Sequence, residues 1–208
     1  MRRKDLQISD SETIDRFLRS QKCGVLTLSD EECPYSVPVN FAWDGSKIII
    51  HSSHEGRKAA LVRNGQPAQF TVFREYSVIP SYFTDEKKAC HATQFFASVI
   101  LTGRTGEVTD AAGKAFALNC IMDQVQGPGR YEPLSAEKEN YCRMLEQTAI
   151  FYLNTDTIDA KFKFGQNLGP EKAEIIINKL LERGTDLDRE TAAMMQELRR
   201  KQAESLRN

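Results

Sequence analysis

Histidine is scarce: the 208 residues hold three, and two of them, His51 and His54, share one short stretch. No apolar run approaches the ~18 residues of a membrane-spanning helix, so no membrane partner is expected. The charged start MRRKDLQISDSE is followed by no apolar core of a secretory signal. There is no basic excess either. Lys and Arg number 28 against 29 Asp and Glu, for a formal net charge of −1, a balance that argues against a dedicated nucleic-acid binder. The tract RRKQ at Arg199–Gln202 reads as the solvated face of a helix. The five cysteines (23, 33, 90, 120 and 142) are odd in number and form no C-x-x-C pair, which fits reduced thiols in a cytoplasmic protein better than a disulfide framework. Also missing are G-x-G-x-x-G, a Walker A loop and G-x-S-x-G. The pair His51-x-x-His54 lacks the spacing of a structural zinc site, so no metal is expected.

What is there reads as short strands with local turns, broken by brief helices. Ser9 and Glu12 stand in capping-box spacing ahead of a first helix with Ile14, Phe17 and Leu18 on one face. GVLTLS alternates, with Leu26 and Leu28 sharing a side. YSVPVNFAW carries Pro38, which cannot donate to a ladder and so marks an edge, a bulge or a bend. Asp44-Gly45-Ser46 is a hairpin turn, and KIIIHS completes the hairpin. Then follow a short helix over residues 56–64, an alternating strand from Ala68, a long strand from Phe95 with Gly103 and Gly106 as bend or bulge points, a helix from Asp110 and a last strand to Phe164. The order lacks the β-α-β-α rhythm of a parallel sheet and predicts an antiparallel barrel with helices on its rim. Pro170 and Gly184 bracket a further helix. A second helical pattern after Gly184 makes a C-terminal helical hairpin whose apolar residues include Ile175, Ile176, Leu180, Leu181, Met194, Met195 and Leu198. The expected boundaries are 1–167 for the barrel domain and 168–208 for the helical extension.

The chemistry concentrates in KIIIHSSHEGRKAALV, Lys47–Val62. Here a buried strand meets a polar turn that opens a helix, and a helix start favours phosphate. Gly56 permits close approach, Arg57 offers a bidentate fork and Lys58 a point charge. On composition alone a solvated turn accounts for these residues slightly better. His51 could donate or accept a proton near neutral pH.

The surrounding pattern decides more. Pro34-Tyr35-Ser36-Val37-Pro38-Val39-Asn40-Phe41, followed by Ile49-Ile50-His51-Ser52-Ser53-His54-Glu55-Gly56-Arg57-Lys58, resembles the flavin-binding hairpin of the split-barrel flavoproteins related to pyridoxamine 5′-phosphate oxidase. Within them it looks most like the nitroimidazole-resistance (Nim-type) branch. Ser98, Val99 and Gly103 match a later strand of the family, and KFKFGQN is similar to an element of a related flavin-binding branch. The resemblance implies a mainly β fold: a six-stranded antiparallel split β-barrel of FMN-binding type with flanking helices. It implies a homodimer with FMN, or FAD, at the subunit interface. It implies flavin contacts from Val37, Pro38, Val39, Asn40, Ile50, His51, Ser52, Arg57, Lys58 and Ser98, with His51 as the catalytic residue. The expected function is an FMN-binding oxidoreductase passing electrons to a small-molecule acceptor. The alternatives are a non-catalytic flavin-binding or sensing protein and a haem-binding split barrel. No residue set for pyridoxamine phosphate is evident, which argues against vitamin B6 oxidation.

Overall fold

The structure is a computed structural model and describes residues 3–31, 33–85 and 87–205. Its elements in chain order are β1 (Gln7–Ile8), α1 (Ser11–Ser20), β2 (Cys23–Leu28), β3 (Tyr35–Asn40), β4 (Ala42–Trp43), β5 (Lys47–Ser52), α2 (Arg57–Arg63), β6 (Pro67–Ile79), β7 (Thr93–Val108), α3 (Ala111–Gln126), α4 (Glu139–Gln147), β8 (Ala149–Lys163), α5 (Pro170–Arg183) and α6 (Asp186–Ser205). The strands form one sheet in the order β3-β2-β6-β7-β8-β5-β4, with β1 added beside β8. The ladders β1–β8, β2–β3, β2–β6, β4–β5 and β5–β8 are antiparallel. β1 and β4 have only two residues each, which leaves six long strands. The strands at the two ends of the order, β3 and β4, are separated in the chain only by Phe41. This is a mainly antiparallel sheet with flanking helices, the split-barrel type expected from the sequence.

The chain divides into two compact units. The first comprises Ser9–Val72 and Val99–Asp159. Its core follows from strand alternation: Leu26 and Leu28 of β2 and Ala68, Phe70 and Val72 of β6 are buried, while Ile48, Ile49 and Ile50 of β5 are buried on both faces. Phe41 and Phe70 meet edge to face at 5.0 Å between ring centres. α1 is capped one residue later than the Ser9–Glu12 spacing suggested. Asp10 is the cap, and its carboxylate accepts the Thr13 N–H at 3.2 Å. Pro38 lies on the terminal strand β3, where its missing N–H leaves no ladder broken on the side away from β2. The Asp44–Ser46 turn is held by Asp44 Oδ1, which accepts the N–H groups of Ser46 and Lys47, both at 2.7 Å. At Gly103 a Cβ would overlap the carbonyl oxygen of Asn154, so glycine lets β7 and β8 approach.

The second unit joins the N-terminal residues to Ile8 with Phe73–Ser98 and the chain from Ala160 onward. Its core is aromatic, with Phe164 packed edge-on against Tyr76 at 4.7 Å and near Phe95 at 5.8 Å. α5 starts with Pro170 in its first turn and stops at Gly184, whose φ of 70° places it in the left-handed region. The helical hairpin is present, with a slightly different face from the one expected. Ile176, Leu180, Met195 and Leu198 are buried together with Ala173, Ile177 and Ala192, but Ile175 and Leu181 are exposed. A buried polar cluster ties α6 to β6. Ser77 Oγ donates to Asp188 at 2.6 Å, the Thr191 hydroxyl accepts the Ser77 N–H at 3.1 Å, and Arg183 pairs with Asp188 at 2.5 and 2.8 Å.

Candidate functional site

Nine of the ten expected site residues fall on three neighbouring pieces of the first unit: β3, the end of β5 and the start of α2. β3 is unusual among the long strands in having no buried residue. Val37 and Val39 pair with Leu26 and Gly24 and are half-buried, whereas Pro38 and Asn40 pair with Val25 and Cys23 and are exposed. Its backbone carries a ladder to β2 and its apolar side chains stay reachable. Asn40 is anchored, its amide donating to the Lys22 carbonyl at 3.1 Å. On β5 the polarity changes abruptly. Ile50 is buried, so it can offer a ligand only its backbone, while His51 is exposed and Ser52 half-buried. His51 has no hydrogen-bond or ion-pair partner among the described residues.

The turn after β5 passes through Gly56 at φ 103°, a conformation that disfavours any side chain, and the space where a Cβ would stand is open. α2 then runs for seven residues. Such a short helix adds little dipole, so a phosphate would depend on the side chains here. The two cations differ. The Arg57 guanidinium donates through Nε and Nη2 to Asp30 Oδ2 at 2.8 and 2.6 Å, and it stacks over the Tyr35 ring at 4.7 Å. Hydrogen bonding from Arg57 holds the Asp30 carboxyl below its usual range, and the same bonds raise Arg57. Lys58 has no anionic partner among the described residues, and burial lowers its pKa. An ammonium that is partly desolvated and unpaired favours a ligand that brings negative charge.

His54 plays a different part. Its Nε2 lies 2.9 Å from the Glu146 carbonyl, and its own carbonyl accepts from Arg63 at 2.8 Å. Arg63 in turn grips Glu107 with a fork at 2.7 and 3.0 Å. This lock joins α2 to the end of β7 and to α4, which makes His54 a structural residue of the turn. Ser98, the tenth expected residue, lies on β7 in the second unit, where its hydroxyl donates to the Lys161 carbonyl at 3.4 Å. The sequence reading missed Asp30 and Tyr35 as neighbours of Arg57. Asp30 stood in a plain turn, and only the β2–β3 pairing, which sets Leu28 opposite Tyr35, brings that turn to the start of α2. Among the described residues no group of three or more His, Cys, Asp or Glu could hold a metal, and no helix is long and apolar enough to cross a membrane.

Comparison with known proteins addresses the fold and the family. No curated protein matches the sequence. Among solved structures, the flavocytochrome Anf3 from Azotobacter vinelandii is similar with a TM-score of 0.64 at 23% identity, over 81% of this chain and 74% of that one. The FAD and heme binding protein from Mycobacterium smegmatis gives 0.65 at 20% identity, over 86% and 80%. A candidate 5-nitroimidazole antibiotic resistance protein from Bacteroides thetaiotaomicron gives 0.61 at 18%, over 74% and 85%. At these identities the likeness shows a shared fold. The family is shown by sequence: the model for pyridoxamine 5′-phosphate oxidase matches residues 10–161, which hold five of the long strands and most of β8, and the chain belongs to that family.

Proposed function

We propose that the chain binds a flavin, FMN in the first instance, against β3, the end of β5 and Lys58, and acts as an oxidoreductase toward a small acceptor. One observation carries the reading. Lys58 is a half-buried ammonium without a partner among the described residues, beside an open glycine and a strand whose apolar side chains are left reachable. That combination suits a phosphate joined to a flat, partly apolar ring. When bound, the flavin supplies the electron transfer, and the protein supplies position and electrostatics. Val37, Pro38, Val39 and Asn40 offer a ledge for the ring, Ile50 and Ser52 flank the chain that leads to the phosphate, and Lys58 neutralises it. Arg57 joins Lys58 once it leaves Asp30. His51, exposed and unpartnered, holds or gives a proton beside the acceptor. The uncovered strand β3 supports a homodimer in which a second copy covers the ring. The five free cysteines support a reducing, cytoplasmic setting. The relative named for FAD leaves FAD as the second candidate.

The experiment is an absorbance spectrum of the purified chain, with any released chromophore identified by mass, followed by titration with FMN and FAD. A protein that is colourless and stays so, with no gain in Tm from either flavin, would overturn the reading. Flavin binding without oxidation of reduced nicotinamide by any acceptor would favour a non-catalytic or sensing role. Haem binding is a second reading, supported by the unpartnered His51 and by the haem named for one relative. A Soret band that His51→Ala abolishes would establish it.

A further inference from the structure

A cavity of about 380 Å³ opens in the first unit between the β4–β5 turn, α1 and α3, a volume in the range of small-molecule sites. It shares no residue with the candidate flavin site. Its wall includes Trp43, the only tryptophan of the chain, and Phe116. Trp43 is fixed: its ring N–H donates to Asp15 at 2.9 Å and its backbone N–H donates to Gln124 at 2.9 Å. Phe116 is 62% exposed, so a large aromatic face at the cavity is left uncovered on a helix whose neighbouring Ala117 and Ile121 are buried.

The charges at this cavity do not balance. Arg19 is the one cation of the wall. It is already held by Asp15 at 2.8 Å through Nε, and it donates to the Trp43 carbonyl at 3.2 Å. Asp44 and Asp123 are the two carboxylates of the wall. Asp44 spends Oδ1 on the turn, and Asp123 accepts the Tyr131 hydroxyl at 2.9 Å. Neither has a cationic hydrogen-bond partner among the described residues. Two wall carboxylates therefore stand beside a guanidinium that Asp15 already pairs, around a space with aromatic walls. The local field agrees. Burial first, then Asp44 and Asp123, raise the Cys120 thiol in the same wall, with Arg19 acting against them.

We propose that this cavity binds a small organic cation with a flat apolar body, of the arylalkylamine class. The ring would lie against Phe116 beside Trp43, and the ammonium would meet Asp44 and Asp123. An aromatic face attracts such a body, and paired carboxylates select its sign. The site needs no flavin, so its fate is independent of the proposed function.

The test uses 2-phenylethylamine and 3-phenylpropionate, which share a ring and differ in charge. Each is titrated into the full chain by calorimetry and by the emission of Trp43, excited where neither probe absorbs. The amine is expected to bind and to change Trp43 emission, and the acid to bind at least about tenfold more weakly, the worth of one charge-assisted contact. Phe116→Ala, at an exposed position that leaves the core intact, should weaken the amine several-fold. Asp123→Asn keeps an acceptor for Tyr131 and should weaken it about tenfold by removing one charge. No amine binding at millimolar concentration, equal binding of both probes, or affinity unchanged in both variants would overturn the proposal.

Discussion

Asp188→Asn is the most searching test of how the C-terminal helices are held. The Asp188 side chain is 1% exposed. Its oxygens accept from Arg183 through Nε at 2.8 Å and Nη2 at 2.5 Å, from Ser77 Oγ at 2.6 Å and from the Thr185 N–H at 3.3 Å. Asparagine keeps one acceptor, loses the charge, and turns an N–H group toward donors. Breaking a buried pair costs ~3–5 kcal/mol. Arg183 is about one-third exposed, so water recovers part of that, and roughly 2–3 kcal/mol is the expected loss. For a chain of this size that lowers Tm by roughly 5–10 °C. The pH dependence gives the sharper check. Hydrogen bonds from Arg183 hold the Asp188 carboxyl far below its ordinary value when folded. Its stabilisation is therefore fully present above the unfolded value of about 3.9 and fades as pH falls toward the lower folded value. Urea unfolding of both proteins should show a gap that is constant from about pH 5 to pH 7 and narrows below about pH 4. A gap that stays constant or widens on acidification would refute the assignment of this stability to the ionised carboxylate.

Three further outcomes are expected. Gly103→Ala places a Cβ onto the Asn154 carbonyl. Both groups belong to backbone that cannot rotate away, so a loss of about 3 kcal/mol or failure to fold is expected, read by chemical denaturation; a stable variant would mean that β7 and β8 part at little cost. Lys58→Ala should weaken flavin about tenfold without lowering the Tm of the flavin-free protein, measured by fluorescence quenching. Asp30→Asn should tighten flavin binding, because Arg57 is released from its present partner; weaker binding in the same assay would show that Asp30 positions Arg57 for the ligand.

Local signals made much of this molecule legible. The Asp44–Ser46 turn, the run Ile48–Ile50, Pro170 and Gly184 each act through nearest neighbours, and each element stands within a residue or two of where the sequence put it. The less legible features depend on partners far away in the chain. Gly103 reads as a bend or bulge point, and the close approach of Asn154 that excludes a side chain there shows only when the two strands are set together. The face of α5 was misjudged because Ile175, Ile176 and Ile177 are consecutive, and a run of isoleucines carries no phase of its own; packing chose the last two. Within the candidate site, the positions of β3, β5 and α2 were readable, but the state of Arg57 was not. Asp30 lies 27 residues away from Arg57, and the meeting of the two depends on the pairing of β2 with β3.

That meeting shapes how an anion would be received. Arg57 and Asp30 are both near the surface, so their bond is one that water and salt weaken. The guanidinium is also stacked on Tyr35, which orients its fork without neutralising it. A phosphate carries more negative charge than one carboxylate and matches the same fork with more oxygens. It can therefore displace Asp30 while Arg57 stays on its aromatic support. Lys58 has nothing to give up, and its partial burial makes each approaching anion count for more. The two cations should then contribute unequally. Removing Lys58 takes away a charge that only the ligand satisfies, whereas removing Arg57 takes away one that Asp30 already satisfies in its absence. Flavin titrations of Lys58→Ala and Arg57→Ala, each repeated with Asp30→Asn, separate the two contributions. Lys58→Ala should cost the same affinity in either background, and Arg57→Ala should cost more once Asp30 is asparagine. Equal costs for Arg57→Ala in both backgrounds would show that the ion pair and the ligand do not compete.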